Sequence, residues 1–138
     1  MLSQPTTDKI LLAIADDLHS VIAPAVSDGQ AKILLEQAEQ LLRRLSRRSA
    51  SEIAWMVEEI GLIEEALGLA KNEDNDRSLH LTAVAERYSH ASGLLGDAIK
   101  EAFDDEDEEK LATLKKLLSA RIAREQEILG QLDLVGRG

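Results

Sequence analysis

Apolar residues return at alternating three- and four-residue steps through nearly the whole chain, and that spacing is the mark of amphipathic α-helices. The first run is Leu11, Ile14, Leu18, Val21 and Ala25, with Thr6 or Thr7 as its N-cap. Pro24 disfavours helical geometry at Ala23, so a kink or stop is expected there. Asp28 and Gly29 mark a break or a new start. The second run is Ala31, Leu34, Ala38, Leu41 and Leu45, closing on Arg43, Arg44, Arg47 and Arg48, cations that suit the negative end of a helix dipole. Ser49 followed by Glu52 has the form of a capping box, opening a third helix with the seam Ile53, Met56, Ile60, Ile63, Leu67 and Ala70.

Residues Lys71 to Arg77 are polar throughout and read as a loop. The fourth run is Leu81, Val84, Tyr88, Ala91, Leu95, Ala98 and Ala102. Asp105 with Glu108 reads as another capping box inside the acidic run Asp104 to Glu109, and a fifth helix extends from about Glu108 to Leu132. Helices of ~20–25 residues are roughly 30–38 Å long, and short connections make sequential neighbours antiparallel. The expected fold is all-α: an up-and-down antiparallel bundle of four to five long helices, forming a single domain over residues 1–138. A chain of 138 residues buries a proper core without disulfides or metals.

Composition removes several classes of function. Without cysteine there is no disulfide scaffold, thiol nucleophile or iron–sulfur centre. Sixteen Lys and Arg against 26 Asp and Glu give a net charge of −10, which repels phosphate backbones and anionic lipid, so neither nucleic acid nor membrane is expected as a partner. One Trp, one Tyr and one Phe leave few rings for stacking bases or flavins. Met1 to Thr7 lacks the basic start of a signal peptide, and the apolar runs fall short of the ~20 residues of a membrane span. A cytoplasmic location is expected.

The stretch from Leu11 to Leu45, with Leu11-Leu12, then Ile22-Ala23-Pro24-Ala25 and an amphipathic helix behind it, resembles uncharacterised bacterial helical proteins. Those are encoded near aminoglycoside-phosphotransferase-like and acyl-CoA-dehydrogenase-like proteins. The likeness covers about a quarter of the chain and stops at Arg48. It implies an accessory role near acyl-CoA metabolism and carries no chemistry with it.

Metal and catalytic patterns are sparse. A ferritin-like di-iron centre needs Glu-x-x-His pairs, and none occurs. Asp16 with His19 and Glu86 with His90 come nearest, at spacings that share a helix face. All-helical nucleotide pyrophosphatases hold Mg²⁺ with paired acidic motifs. Glu36-x-x-Glu39 matches one half of that pattern, but Glu73-x-x-Asp76 and Glu101-x-x-Asp104 fall in a loop and near a helix end. No nucleophile elbow or phosphate loop is present. No cofactor is expected.

The departures from simple patterning lie on the last three helices. Trp55, Leu62, Ala66 and Leu69 form a second apolar stripe beside the main seam, with Glu59 inside it. Small residues line up as Ala54, Gly61 and Gly68, and as Ala85, Ser89, Ser92 and Gly96, a pattern that suits close helix packing or a cleft. Arg121 and Glu125 fall on the seam of the fifth helix, spaced to pair with each other. Two functions from different classes follow. The first is a non-enzymatic interaction protein that forms a homo-oligomer, a dimer in the simplest case, through the Trp55 stripe, with room for a further protein partner. The second is a small-molecule-binding bundle whose cleft is lined by Trp55, Glu59, Tyr88, Arg121 and Glu125.

Overall fold

The computed structural model describes residues 4–69 and 78–130, and among them every regular element is helical. The protein is all-α. Four helices carry the fold: α1 (Thr7–Asp17), α2 (Gly29–Ala66), α3 (Leu81–Asp104) and α4 (Glu108–Leu129). The described residues group into two compact units. One takes residues 4–51 together with 125–130; the other takes 52–69 with 78–124. Ala70, the loop Lys71 to Arg77 and Leu132 lie outside the described residues.

In the first unit, α1 starts after the N-cap Thr6 and passes into a π-helical turn at Leu18–Ile22 and a short helical turn at Ala23–Ala25. Pro24 explains the wide turn. Its ring has no N–H to give Ser20 and crowds that carbonyl, and an i→i+5 turn, seen as Ala23 N–H donating to the Leu18 carbonyl, makes room. Asp28 then caps α2: its Oδ1 accepts from the backbone N–H of Gln30 at 2.8 Å and of Ala31 at 3.3 Å. The two helices run antiparallel, since Asp8 meets Ser46 and Asp16 meets Arg43.

The expected boundary at Ser49 is absent, for α2 is continuous over 38 residues. No Gly or Pro occurs between Gly29 and Gly61 to stop it. The Ser49 hydroxyl donates back to the Ser46 carbonyl at 3.1 Å, so it serves the helix interior and caps nothing. The run Arg43 to Arg48 is therefore mid-helix, and the fit to a helix C-terminus inferred from sequence does not hold.

The second unit packs the C-terminal half of α2 against α3 and α4. Ile60, Ile63, Ala91, Leu95, Ala102 and Leu114 are buried together, with Leu67, Tyr88, Leu111 and Leu118 packed against them. The pairs Glu101–Lys110 and Ser92–Arg121 show α3 and α4 to be an antiparallel hairpin. Gly68, at φ +63°, ends α2 in a Schellman motif: Leu69 N–H reaches the Glu64 carbonyl and Gly68 N–H the Glu65 carbonyl. Glu106 plays the same part after α3 at φ 57°, with Asp107 N–H on the Ala102 carbonyl. The cap of α4 is Asp107, whose Oδ1 accepts Lys110 N–H at 2.9 Å, two residues beyond the expected Asp105.

A left-handed residue with a Cβ is strained where glycine is not. Glu106→Gly should therefore stabilise the protein by about 0.5–1 kcal/mol. An unchanged or lower urea midpoint would refute that expectation.

Candidate functional site

Within the second unit, the sequence-singled residues Glu59, Tyr88 and Arg121 come together around one buried carboxylate. Glu59 is only 6% exposed. Arg121 Nε donates to its Oε1 at 2.6 Å and the Tyr88 hydroxyl to its Oε2 at 3.2 Å. Arg121 also gives Nη2 to the Ser92 hydroxyl at 3.0 Å and stands 5.1 Å from the centre of the Tyr88 ring. Ser92, one of the small residues on α3, thus serves as an acceptor. The expected Arg121–Glu125 pairing gives way to this cluster, because Glu59 reaches the guanidinium from α2; Glu125 is exposed.

Trp55 is half-buried, and its backbone carbonyl accepts from Arg124 Nη1 at 3.2 Å while Arg124 Nη2 binds Glu58 at 2.6 Å. Leu62 and Leu69 are partly exposed and Ala66 is exposed, as a second stripe off the core requires. The small-residue lines do not mark close packing: a Cβ added at Gly61 or Gly96 would meet nothing within 4 Å. The polar groups of this cluster satisfy one another, as a structural ion pair does.

The larger anomaly lies in the first unit, on the seams that the sequence marks as core. Ile14 and Val21 are 44% and 64% exposed, with Ile10 beside that seam at 45%, and Leu34, Leu41 and Leu45 are 62%, 56% and 39% exposed. Helix periodicity places them on one side of the α1/α2 pair. On α1, Ile14 and Asp16 flank the fully buried Ala15 on opposite sides, ~200° apart. On α2, Leu45 and Arg43 likewise flank the buried Ser46 on opposite sides. Arg43 Nη2 binds Asp16 Oδ1 at 2.8 Å, which joins the polar flanks. Ile14 and Leu45 therefore share the other flank, where Ile10 from α1 joins Leu34, Ala38 and Leu41 from α2; Val21 lies beyond α1, on the π-helical turn. Asp17, exposed at the end of α1 and three residues on from Ile14, falls in the same row, so the face carries one carboxylate at its edge.

The polar flank is built from the opposite sides of the same helices. Arg43 Nε also donates to Glu39 Oε1 at 2.6 Å, and this bond, with the one to Asp16, pushes the guanidinium pKa up. His19 Nδ1, on the π-helical turn, stands 3.9 Å from Glu39 Oε2. Arg47 donates Nε and Nη2 to the carbonyls of Ile128 and Leu129, the last of α4, at 2.8 and 2.9 Å. Asp16 and His19 thus face separate partners, while Glu86 and His90 are exposed on α3. Among the described residues, no group of three or more His, Asp or Glu is placed to hold a metal ion.

The fold defines an all-α protein with a self-satisfied polar cluster in one unit and an uncovered apolar face in the other. No protein-family model, no curated protein and no solved structure matches the chain. Among the described residues no helix is long and apolar enough to cross a membrane.

Proposed function

We propose that the protein is a non-enzymatic, self-associating helical interaction protein, and that a second copy covers the apolar face of α1 and α2. The observation that carries this reading is the exposure of Leu34, Leu41 and Leu45 beside Ile10, Ile14 and Val21. Covering six large side chains that are each about half exposed recovers roughly 5–9 kcal/mol per chain. A two-fold pair counts that gain twice, against an association cost of about 4–15 kcal/mol. Two α1/α2 hairpins face to face make a four-helix layer with a closed core.

The protein acts in the cytoplasm without nucleic acid or membrane, and its main contact is the α1/α2 face rather than the Trp55 stripe. Native mass spectrometry at micromolar concentration tests it. With a chain of 15.1 kDa, the expected species is twice that, about 30 kDa. A species of one chain mass throughout the micromolar range would overturn the reading.

A further inference from the structure

On the polar flank of α1 and α2, in the first unit, lies a cleft of about 190 Å³ lined by His19, Glu39, Gln40, Arg43, Arg44, Arg47 and Leu129. Three guanidinium groups meet there, in a chain where acids outnumber bases 26 to 16. Among the described residues only Arg43 of the three is neutralised by carboxylates, held by Glu39 and Asp16. Arg47 is bound to the carbonyls of Ile128 and Leu129, whose partial charges leave most of its positive charge standing. Arg44, half-buried on the cleft wall, bonds no carboxylate among the described residues.

The placement of Arg47 is fixed by its surroundings. Gly130 follows α4 at φ +67°, and a Cβ there would stand 2.7 Å from Arg47 Nη2 and 2.9 Å from its Cζ. Glycine at this position lets the guanidinium lie against the end of α4. Its Nη1, which Ile128 and Leu129 do not use, is left over. With the full fork of Arg44 and the amide of Gln40, that makes a donor set for an oxyanion.

We propose that this cleft binds a small oxyanion of the phosphate class, held by Arg44 and Arg47, with Gln40 and His19 at its rim. Guanidinium forks match phosphate oxygens in pairs and remain charged at any physiological pH. Glu39 also lines the cleft; Arg43 holds its Oε1, and Arg44 and Arg47 outweigh the charge that remains. The volume suits inorganic phosphate or the phosphate end of a small metabolite, being below the ~300 Å³ at which drug-sized sites begin. A neighbouring cleft of about 480 Å³ shares His19, Glu39 and Gln40 and continues over Ala23 and Pro24 to Lys32 and Glu36, giving an uncharged organic remainder a place to lie.

Isothermal titration calorimetry in chloride buffer, with inorganic phosphate and with phenyl phosphate as probes, tests the site. The expected result is saturable binding at one site per chain. Arg44→Gln should weaken both probes at least ~10-fold, since a hydrogen bond to a charged group is lost, while Lys115→Gln, removing the same charge elsewhere, should change affinity less than about twofold. Tighter binding of phenyl phosphate identifies a phosphomonoester as the ligand class; equal binding identifies free phosphate. Gly130→Ala, which displaces Arg47 and leaves Arg44 intact, is the second variant and should also weaken both probes. Circular dichroism confirms that each variant is helical. No saturable heat with either probe, or affinity unchanged in Arg44→Gln and Gly130→Ala, overturns the proposal.

Discussion

Leu41→Glu is expected to leave the chain helical and to make it monomeric. In a single chain Leu41 is 56% exposed, so a polar residue there disturbs little. In a two-fold pair the change is made twice, and each copy buries a carboxylate against apolar side chains of the other. The loss is at least about 3 kcal/mol per pair, more than a hundredfold in dissociation constant. Analytical ultracentrifugation beside a melting curve checks both halves of the expectation. Trp55→Ala is the informative contrast. If the contact were the stripe of Trp55, Leu62, Ala66 and Leu69, that variant would dissociate and Leu41→Glu would not. The α1/α2 face predicts the reverse.

The second large effect concerns Glu59. Removing its cation by Arg121→Ala leaves a carboxylate that is 6% exposed with the Tyr88 hydroxyl as its one remaining partner of those two. An uncompensated buried charge of this kind costs about 3 kcal/mol or more. The double variant Glu59→Met with Arg121→Leu should recover most of that loss, because an apolar pair of similar volume needs no solvation. Urea unfolding of both variants gives the comparison. A loss below about 1 kcal/mol for Arg121→Ala would mean that water already solvates Glu59 and that the cluster is not a closed pair.

Helix content was legible in the sequence because three- and four-residue spacing has one structural meaning. In the second unit most of the core was legible: Ile60, Ile63, Val84, Ala91, Leu95 and Ala102 stand on the expected seams and are buried, while Leu81, at the start of one seam, is 44% exposed. What periodicity does not report is what covers a seam. Leu34, Leu41 and Leu45 carry the same pattern as Ile60 and Ile63, yet only the latter pair is buried. The Ser49 boundary misled because Ser-x-x-Glu fits a helix interior as well as a cap, and nothing nearby breaks the helix. Pro24 correctly signalled a disturbance, but its form, a π-helical turn, depends on how the preceding carbonyl is relieved.

The polar cluster was half legible. The conflict of Glu59 and Arg121 with their apolar seams announced two charges near a core, and charges so placed need partners. Sequence spacing offered Glu125 to Arg121 on the same helix. The fold offered Glu59 from another helix, with Tyr88 and Ser92 completing the shell. Contacts of that range follow from helix packing, which no local spacing encodes. The Arg44–Arg47 cleft had one available signal, a run of four arginines in an acidic chain, and helix periodicity would have placed Arg43, Arg44 and Arg47 on neighbouring rows of α2.

The claim that α1 and α2 pack against a second copy is tested most directly by cross-linking, because the chain has no cysteine of its own. Ala38→Cys puts a single thiol on the apolar face, and Leu62→Cys puts one on the Trp55 stripe. Packed helices stand roughly 8–10 Å apart, within reach of a short bismaleimide. Ala38→Cys is expected to give a covalent dimer at micromolar concentration, and Leu62→Cys little. A covalent dimer from Leu62→Cys alone, or from neither, would contradict it.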